Sequence, residues 1–117
     1  MGLDIYFIKR KPKEIGYFRK VNFLVKFFED KGMDVKNQKP FRIDYAQAEE
    51  LLERCKIVLK NNSKASTILP TKGGDFFGDT KYNEYYFRDV ARVKEFIETK
   101  LLSELNGEDE VWFEIWY

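Results

Sequence analysis

Apolar and polar residues alternate at the two ends of the chain, and this pattern predicts a β-strand at each end. The first predicted strand, Leu3–Arg10, has apolar side chains at every second position and is followed by a turn over Lys9–Lys13. The last, Val111–Tyr117, consists of β-prone aromatic and branched residues around a single Glu114. We expect these two strands to pair with each other. Because a two-stranded sheet is marginally stable alone, helices must cover one of its faces.

Between these strands, apolar residues recur at spacings of three and four, which predicts helices over Glu14–Lys31, Tyr45–Lys60 and Asn83–Leu105. Asp44 is suited to cap the second helix. Gln47 follows it by three residues, as the reciprocal partner in a capping box.

Two short segments, Phe41–Ile43 and Phe76–Phe77, are candidates for a third strand. The predicted fold class is therefore α+β. A small two- or three-stranded sheet pairs the N- and C-terminal strands and is covered by about three helices. A chain of 117 residues fits a single domain over positions 1–117.

The formal net charge of +1 hides an asymmetry along the chain. Residues 1–42 contain eleven Lys and Arg against five Asp and Glu, whereas residues 43–117 contain ten against fifteen. The basic N-terminal part could attract phosphates or acidic partners, or the two parts could neutralise one another across the folded surface. The pI of about 7.7 is below that of a dedicated nucleic-acid binder, so nucleic acid is disfavoured as a partner.

The chain has no His and one Cys, which limits the catalytic and metal-binding roles that its side chains can have. His is the commonest general base and metal ligand, and a lone Cys55 forms neither an internal disulfide nor a zinc site. Cys55 lies on the apolar arc of the second predicted helix, which favours a small core residue over a nucleophile. We expect no metal and no cofactor, and we assign no catalytic residue. Without a signal peptide or an apolar run of about 20 residues, the sequence predicts a cytoplasmic protein with no membrane contact.

The central segment, Leu69–Phe87, combines glycine with many aromatic residues, so either the core or a flat ligand must pack on it. Within it, Lys72 directly precedes two glycines, which puts a cation beside backbone N–H groups that can bind an anion. This differs from the phosphate-binding loop of nucleotide hydrolases, where the lysine follows the glycines. The alternative is a tight turn that places both phenylalanines of the segment in the core.

Three tyrosines follow this turn, at Tyr82, Tyr85 and Tyr86. Their spacing gathers the rings on one side if the third helix begins early. Tyrosine faces can stack on a base, and tyrosine hydroxyls can bind phosphate or sugar. The alternative is that these side chains line the border of the core.

Four residues of the first predicted helix interrupt or flank its apolar stripe: Tyr17, Arg19, Lys20 and Asn22. Asn22 falls on the buried stripe, where an amide without hydrogen-bond partners costs about 1–3 kcal/mol. It either satisfies backbone groups of a neighbouring loop or contacts a ligand. Arg19 and Lys20 are either solvated or receive an anion from the Lys72 loop.

Five blocks stand out along residues 1–105: MGLDIY at 1–6, EIGYFRKVN at 14–22, LPT at 69–71, FFG at 76–78 and YNEYYF at 82–87. As a set they resemble a family of small uncharacterised proteins from phages, prophages and bacteria. This chain departs from the family pattern with Phe18 in place of a Trp, with Asp75 in place of a Phe, and without the His that relatives often carry in the first helix. The resemblance implies a phage-associated context and no particular reaction.

Three functions are compatible with these observations. The leading prediction is a non-catalytic phage-type protein that binds a small anionic or nucleotide-like ligand, with a counter-defence role. The alternative is a protein-interaction module that forms a homodimer or binds a host protein through Trp112, Trp116 and Tyr117 on an aromatic edge strand. The third is an enzyme that uses Asp4, Glu14 and a tyrosine. The candidate ligand residues come from the first helix and the central segment: Tyr17, Arg19, Lys20, Asn22, Thr71, Lys72, Gly73, Gly74, Phe77, Tyr82, Tyr85 and Tyr86.

Overall fold

The computed structural model of the protein describes residues 2–10 and 13–117 and shows an α+β fold on one four-stranded antiparallel sheet. In chain order its strands are β1 (Asp4–Lys9), β2 (Lys13–Arg19), β3 (Phe41–Ile43) and β4 (Val111–Trp116). They lie side by side in the order β2-β1-β4-β3. The predicted pairing of the first and last strands is confirmed, because β1 and β4 are antiparallel neighbours over their whole length. The predicted turn over Lys9–Lys13 includes residues 11 and 12, which lie outside the described residues.

Helices fill the connections between the strands. The described helices are α1 (Asn22–Asp30), α2 (Tyr45–Lys60), α3 (Ala65–Ile68), α4 (Glu84–Phe96) and α5 (Leu102–Leu105). A 3-10 turn precedes α3, and a π-helical turn, Ile97–Leu101, joins α4 to α5. The predicted second helix is confirmed with its capping box, in which Asp44 and Gln47 each accept a hydrogen bond from the other's backbone N–H. The predicted third helix is the continuous run from α4 to α5, with Asn83 as its N-cap.

The first helix predicted from the sequence, Glu14–Lys31, is wrong over its N-terminal part. Lys13–Arg19 forms β2, which makes an antiparallel hairpin with β1, and α1 begins only at Asn22. Tyr17 and Arg19 therefore lie on a strand, and Lys20 lies in the turn that follows it.

A β-bulge explains this error. An extra residue in one strand shifts the alternation of its side chains by one position. In β2 the bulge leaves Ile15 without a partner on β1, and Ile15 lies three positions before Phe18, a spacing that is typical of a helix. The pairs on either side of the bulge are Phe7 with Gly16 and Ile8 with Glu14.

The aromatic C-terminal strand is not the edge strand that the predicted interaction module requires. β4 lies between β1 and β3 and pairs with both. The edges of the sheet are β2 and β3, and β2 raises the number of strands to four. Phe76–Phe77 adds no strand, because it belongs to a turn in which the Phe77 N–H donates to the Gly74 carbonyl at 3.1 Å.

One face of the sheet forms the core with the helices. Phe28 of α1 packs on Phe113 of β4 with 4.6 Å between ring centroids, and Phe96 of α4 packs on Phe7 of β1 at 5.0 Å. Most of the sheet side chains that point to this face are fully or almost fully buried: Ile5, Phe7, Phe18, Ile43, Val111, Phe113 and Ile115. The functional surfaces therefore lie at the rim of this core or on the opposite face of the sheet.

Some ion pairs join the basic N-terminal part to the acidic remainder. Lys9 pairs with Glu104 and Asp109 at 3.3 and 3.4 Å, and Lys31 pairs with Glu50. Such partly exposed pairs contribute little to stability. They do neutralise part of the charge asymmetry of the sequence.

Cys55 is fully buried on the apolar side of α2, as predicted. Burial raises the pKa of its thiol to about 12, so the nucleophilic thiolate is scarce near neutral pH. We predict that a thiol reagent at mildly alkaline pH leaves the native protein unmodified and modifies one thiol per chain after denaturation. Rapid modification of the native protein would contradict this burial.

In residues 2–10 and 13–117, no helix has both the length and the apolar character that a membrane span needs.

Candidate functional site

A pocket lies where the turn between β2 and α1 meets the central loop and the first turns of α4. It encloses about 250 Å³ and is open to solvent on one side. Its walls come from residues within 19–23, 71–83 and 85–92. The segment Tyr17–Asn22 and the central segment, which contain the candidate ligand residues of the sequence, meet here.

Asn22 fixes the central loop against the start of α1. Its side chain is 2% exposed and donates hydrogen bonds to the carbonyls of Phe77 and Asp79, both at 3.0 Å. Its amide oxygen accepts a hydrogen bond from the Lys72 N–H at 3.1 Å. Of the two roles open to Asn22, satisfying the backbone groups of a neighbouring loop is therefore the one that its contacts support.

Lys20 lies on the pocket wall and has an unusual backbone conformation. Its φ of +59° lies in the left-handed region, which costs a residue other than glycine about 1–2 kcal/mol. A short hydrogen bond of 2.6 Å from the Lys20 N–H to the Leu3 carbonyl holds the turn. On the loop side, a Cβ added to Gly78 would lie 3.0 Å from the Lys20 Cβ, and Gly78 itself has a φ of +88°. Strain of this kind is concentrated at functional sites.

The pocket lining is rich in positive charge. Five cationic side chains line it: Arg19, Lys20, Lys81, Arg88 and Arg92. Arg19 lies 3.5 Å from Asp4, and Arg92 lies 3.3 Å from Asp89. Within the described part of the chain, the other three cations form no ion pair with a carboxylate.

The two carboxylates of the lining are both engaged within the protein. Asp79 accepts hydrogen bonds from the Lys81 N–H at 2.9 Å and from the Asn83 side chain at 3.3 Å. Asp89 pairs with Arg92; burial raises the pKa of the Asp89 carboxyl, and the neighbouring arginines oppose this rise. Five cations against two carboxylates give the lining a formal excess of +3.

The N-terminus of α1 lies at this pocket, where its first backbone N–H groups can act as hydrogen-bond donors beside the cations. The N-cap, Val21, has no side chain that could accept a hydrogen bond from the first N–H groups of the helix. Residues 21–23 line the pocket. Uncapped N–H groups at a helix N-terminus favour the approach of an anion.

Tyr85 supplies a flat surface beside the cations. It is 58% exposed, and the Arg88 guanidinium lies 5.2 Å from the centre of its ring. The neighbouring Tyr86 is buried, and its hydroxyl donates to the Leu69 carbonyl at 2.7 Å. Burial also raises the pKa of the Tyr86 hydroxyl. The tyrosine cluster is thus divided between the pocket surface and the core.

Six of the twelve predicted ligand residues line the pocket: Arg19, Lys20, Asn22, Thr71, Tyr85 and Tyr86. The other six lie outside its lining: Tyr17, Lys72, Gly73, Gly74, Phe77 and Tyr82. Lys72 was expected to present a cation beside glycine N–H groups. Its ammonium group instead lies 2.6 Å from the Glu29 carboxylate on α1, so a salt bridge within the protein uses this charge.

Three other candidates have structural partners. The Tyr82 hydroxyl accepts a hydrogen bond from the Thr71 N–H at 3.1 Å. Phe77 is buried in the core, whereas its neighbour in the predicted pair of core phenylalanines, Phe76, is half-exposed. Tyr17 lies on the sheet face opposite the core, where its hydroxyl donates to Asp4, and it is not among the residues that line the pocket.

The two arginines that α4 contributes to the pocket, Arg88 and Arg92, were not predicted from the sequence. Tyr85, Arg88 and Arg92 are spaced by three and four, which places them on one face of a helix that was predicted correctly. This spacing could have identified Arg88 and Arg92 beside Tyr85. Lys81 precedes the helix, and the sequence offered no pattern that assigned it to the pocket.

The residues proposed for an enzyme do not form a separate reactive group. Asp4 accepts a hydrogen bond from the Tyr17 hydroxyl at 2.6 Å and pairs with Arg19. Glu14 lies opposite Ile8, four positions along β1 from Asp4. In the described residues, no three His, Cys, Asp or Glu side chains come together as a metal site.

Comparisons of the chain with protein-family models, with curated proteins and with solved structures found no match. The function is therefore inferred from the pocket itself.

Proposed function

We propose that this protein binds a small anionic ligand of the nucleotide type in the pocket between the β2–α1 turn and α4, without catalysing its conversion. The formal excess of three positive charges in the lining carries this proposal. Among the five cations of the pocket lining, Lys20, Lys81 and Arg88 form no ion pair with a described residue. Their hydrogen bonds to a phosphate would be charge-assisted, which makes them the strong contacts of the site.

Tyr85 favours a nucleotide over a bare inorganic anion. Its exposed ring and the Arg88 guanidinium offer the flat, polarisable surfaces on which a base stacks. The pocket volume of about 250 Å³ lies just below the usual range for ligand sites, which begins at about 300 Å³. A mononucleotide with its base partly in solvent would fit this size better than a larger molecule.

A binding role rather than a catalytic one agrees with the carboxylates of the pocket. A catalytic carboxylate acts on the substrate, whereas both carboxylates of this lining bind groups of the protein itself. Asp79 already accepts two hydrogen bonds, and Asp89 is paired with Arg92.

The resemblance to phage and prophage proteins suggests a use for such a site. We extend the proposal to a counter-defence role, in which the protein sequesters a nucleotide signal of the host. This extension depends on the binding activity and would be tested after it.

Titration calorimetry against inorganic phosphate, pyrophosphate and mono-, di- and cyclic nucleotides tests the proposal. Replacing Lys81 or Arg88 by Ala should weaken binding about tenfold or more, because each removes a hydrogen bond between charged groups worth about 1.5–3 kcal/mol. Binding should also weaken with added salt. Lys64→Ala is the matched control, since Lys64 is exposed and lies outside the pocket lining.

Absence of binding across the whole panel would overturn the proposal. Equal affinities of the Lys81, Arg88 and Lys64 variants would overturn this assignment of the site.

A further inference from the structure

The face of the sheet opposite the core carries a group of aromatic and apolar side chains. Tyr17 and Trp116 on this face are 40% and 44% exposed. A shallow cleft of about 380 Å³ lies among them, and strand residues alone line it: Tyr6, Ile8, Glu14, Glu114 and Trp116. No described helix contributes to this lining. The cleft shares no residue with the cationic pocket, so binding in the cleft would not depend on the proposed function.

The strand register explains how this cleft forms. Tyr6 of β1 lies between Tyr17 of β2 and Glu114 of β4, and Ile8 of β1 lies opposite Glu14. Neighbouring side chains on one face of a sheet are close enough to interact. The Tyr6 and Tyr17 rings pack with 5.2 Å between their centroids.

A hydrogen bond orders the cleft at its β4 side. The Trp116 indole N–H donates to the Glu114 carboxylate at 2.6 Å, which links the aromatic ring to the charge beside it. A carboxylate has about four acceptor sites, so Glu114 keeps acceptors for another donor. Glu14 is exposed and, among the described residues, forms no ion pair.

The charge of this cleft is opposite to that of the pocket. Among the described residues, its lining contains two carboxylates and no cation. Desolvation and the nearby Asp4, Glu14 and Glu114 raise the pKa of the Tyr6 hydroxyl, in the direction expected for a negative potential. The cleft is therefore complementary to a ligand group that combines a positive charge with an apolar portion.

We propose that this sheet face binds a basic segment of another protein, with one Lys or Arg side chain of that segment seated in the cleft between Glu14 and Glu114. The alkyl stem of such a side chain would lie on Ile8, because long cationic side chains cover apolar surface with their methylene groups. The charged end would lie against Tyr6 and Trp116, whose ring faces attract cations. The two carboxylates would accept its hydrogen bonds.

Two other occupants fit this face less well. A single-stranded nucleic acid stacks on aromatic side chains, but its phosphates would be repelled by Glu14 and Glu114. A second copy of the chain would meet this face in a two-fold dimer through the same patch, which sets those carboxylates against their own copies. A basic peptide is the occupant for which both the aromatic rings and the charges are favourable.

The test uses an arginine-containing peptide and the same peptide with citrulline, which keeps the shape and loses the charge. Fluorescence of Trp116, together with that of Trp112 on the same face, reports binding directly. We expect the arginine peptide to bind and the citrulline peptide to bind about tenfold more weakly or not at all. Equal binding of both peptides would overturn the proposal, and so would equal binding of a free polyamine at the same concentration of charge.

Matched variants locate the site. The double substitution Glu14→Gln with Glu114→Gln should weaken binding of the arginine peptide about tenfold or more, because it removes both charges that face the guanidinium. The control is Glu49→Gln with Glu53→Gln, which removes two exposed carboxylates from α2. Circular dichroism confirms that both variants fold. Equal loss in the two variants would mean that net charge, and not this cleft, determines binding.

Discussion

Replacing Asn22 by Ala is expected to lower the free energy of unfolding by about 2–4 kcal/mol, since each buried polar group left without a partner costs about 1–3 kcal/mol. The substitution removes both donors to the carbonyls of Phe77 and Asp79 and the acceptor for the Lys72 N–H. Water can reach part of these groups after loop movement, which keeps the expected loss below the sum of three full penalties. Urea unfolding followed by circular dichroism measures it.

Asn37→Ala is the matched control. Asn37 also makes two hydrogen bonds to backbone atoms, both with Tyr117 and both at 2.9 Å, but these bonds are exposed. Water replaces such partners easily, so the expected loss is below about 1 kcal/mol. Equal losses in the two variants would show that the buried position of Asn22 does not matter, and the role given to Asn22 in holding the loop would be wrong.

Asn22→Ala is also expected to affect ligand binding in the pocket. Asn22 holds the loop through Phe77 and Asp79, and Asp79 in turn accepts the hydrogen bond from the Lys81 N–H. Loosening this loop would free Lys81 from its position on the pocket wall. The proposed anion binding should therefore weaken in Asn22→Ala, although Asn22 uses its own amide on the protein backbone.

Local signals in the sequence predicted those parts of the fold that depend on local interactions. The helix Tyr45–Lys60 was found with its capping box, because Asp44 and Gln47 satisfy each other within four residues. The helix that begins after Asn83 was also predicted from a local signal, since its apolar stripe lies within the segment itself. The pairing of the terminal strands followed from the need of a strand for a partner.

The hairpin between β1 and β2 could not be predicted in this way. Beside the bulge, Gly16 pairs with Phe7 and lies under Phe96, where an added Cβ would come within 2.5 Å of the ring. That contact joins residues 80 positions apart, so no local window contains it. Gly16 was the available hint, because glycine inside a strand often marks a bulge or a close approach.

The candidate site predicted from the sequence and the pocket of the structure share six residues and differ in the others. Asn22 fell on the apolar stripe of the first predicted helix, and Thr71 belonged to a block shared with the family that the chain resembles. Lys72 was the cation chosen from its glycine neighbours, yet α1 brings Glu29 to within 2.6 Å of its ammonium group. Of the five cations of the pocket, Arg88 and Arg92 come from α4, and only the packing of α4 beside the β2–α1 turn brings Arg88 into the same pocket as Lys20.

Phe113→Ala is expected to produce the largest loss of stability among the variants considered, about 3–5 kcal/mol. Phe113 is fully buried at the centre of β4. Its ring lies 4.6 Å from that of Phe28 on α1, 5.1 Å from Phe41 on β3 and 5.3 Å from Phe7 on β1. A cavity at this point removes contacts between the sheet and α1 as well as contacts within the sheet. Chemical denaturation at equilibrium measures the loss.

Trp116→Ala is the control on the same strand. Trp116 points to the opposite face and is 44% exposed, so removing its larger ring should cost only about 1 kcal/mol. The two variants together test whether the aromatic residues of β4 have different roles. Phe113 points inward and is expected to stabilise the fold, whereas Trp116 points outward and is expected to bind the peptide. If Trp116→Ala destabilised the protein as much as Phe113→Ala, the outer face would be part of the core, and the basic-peptide cleft would lose its basis. If Trp116→Ala left the fold intact and weakened the arginine peptide, this strand would serve the core on one face and recognition on the other.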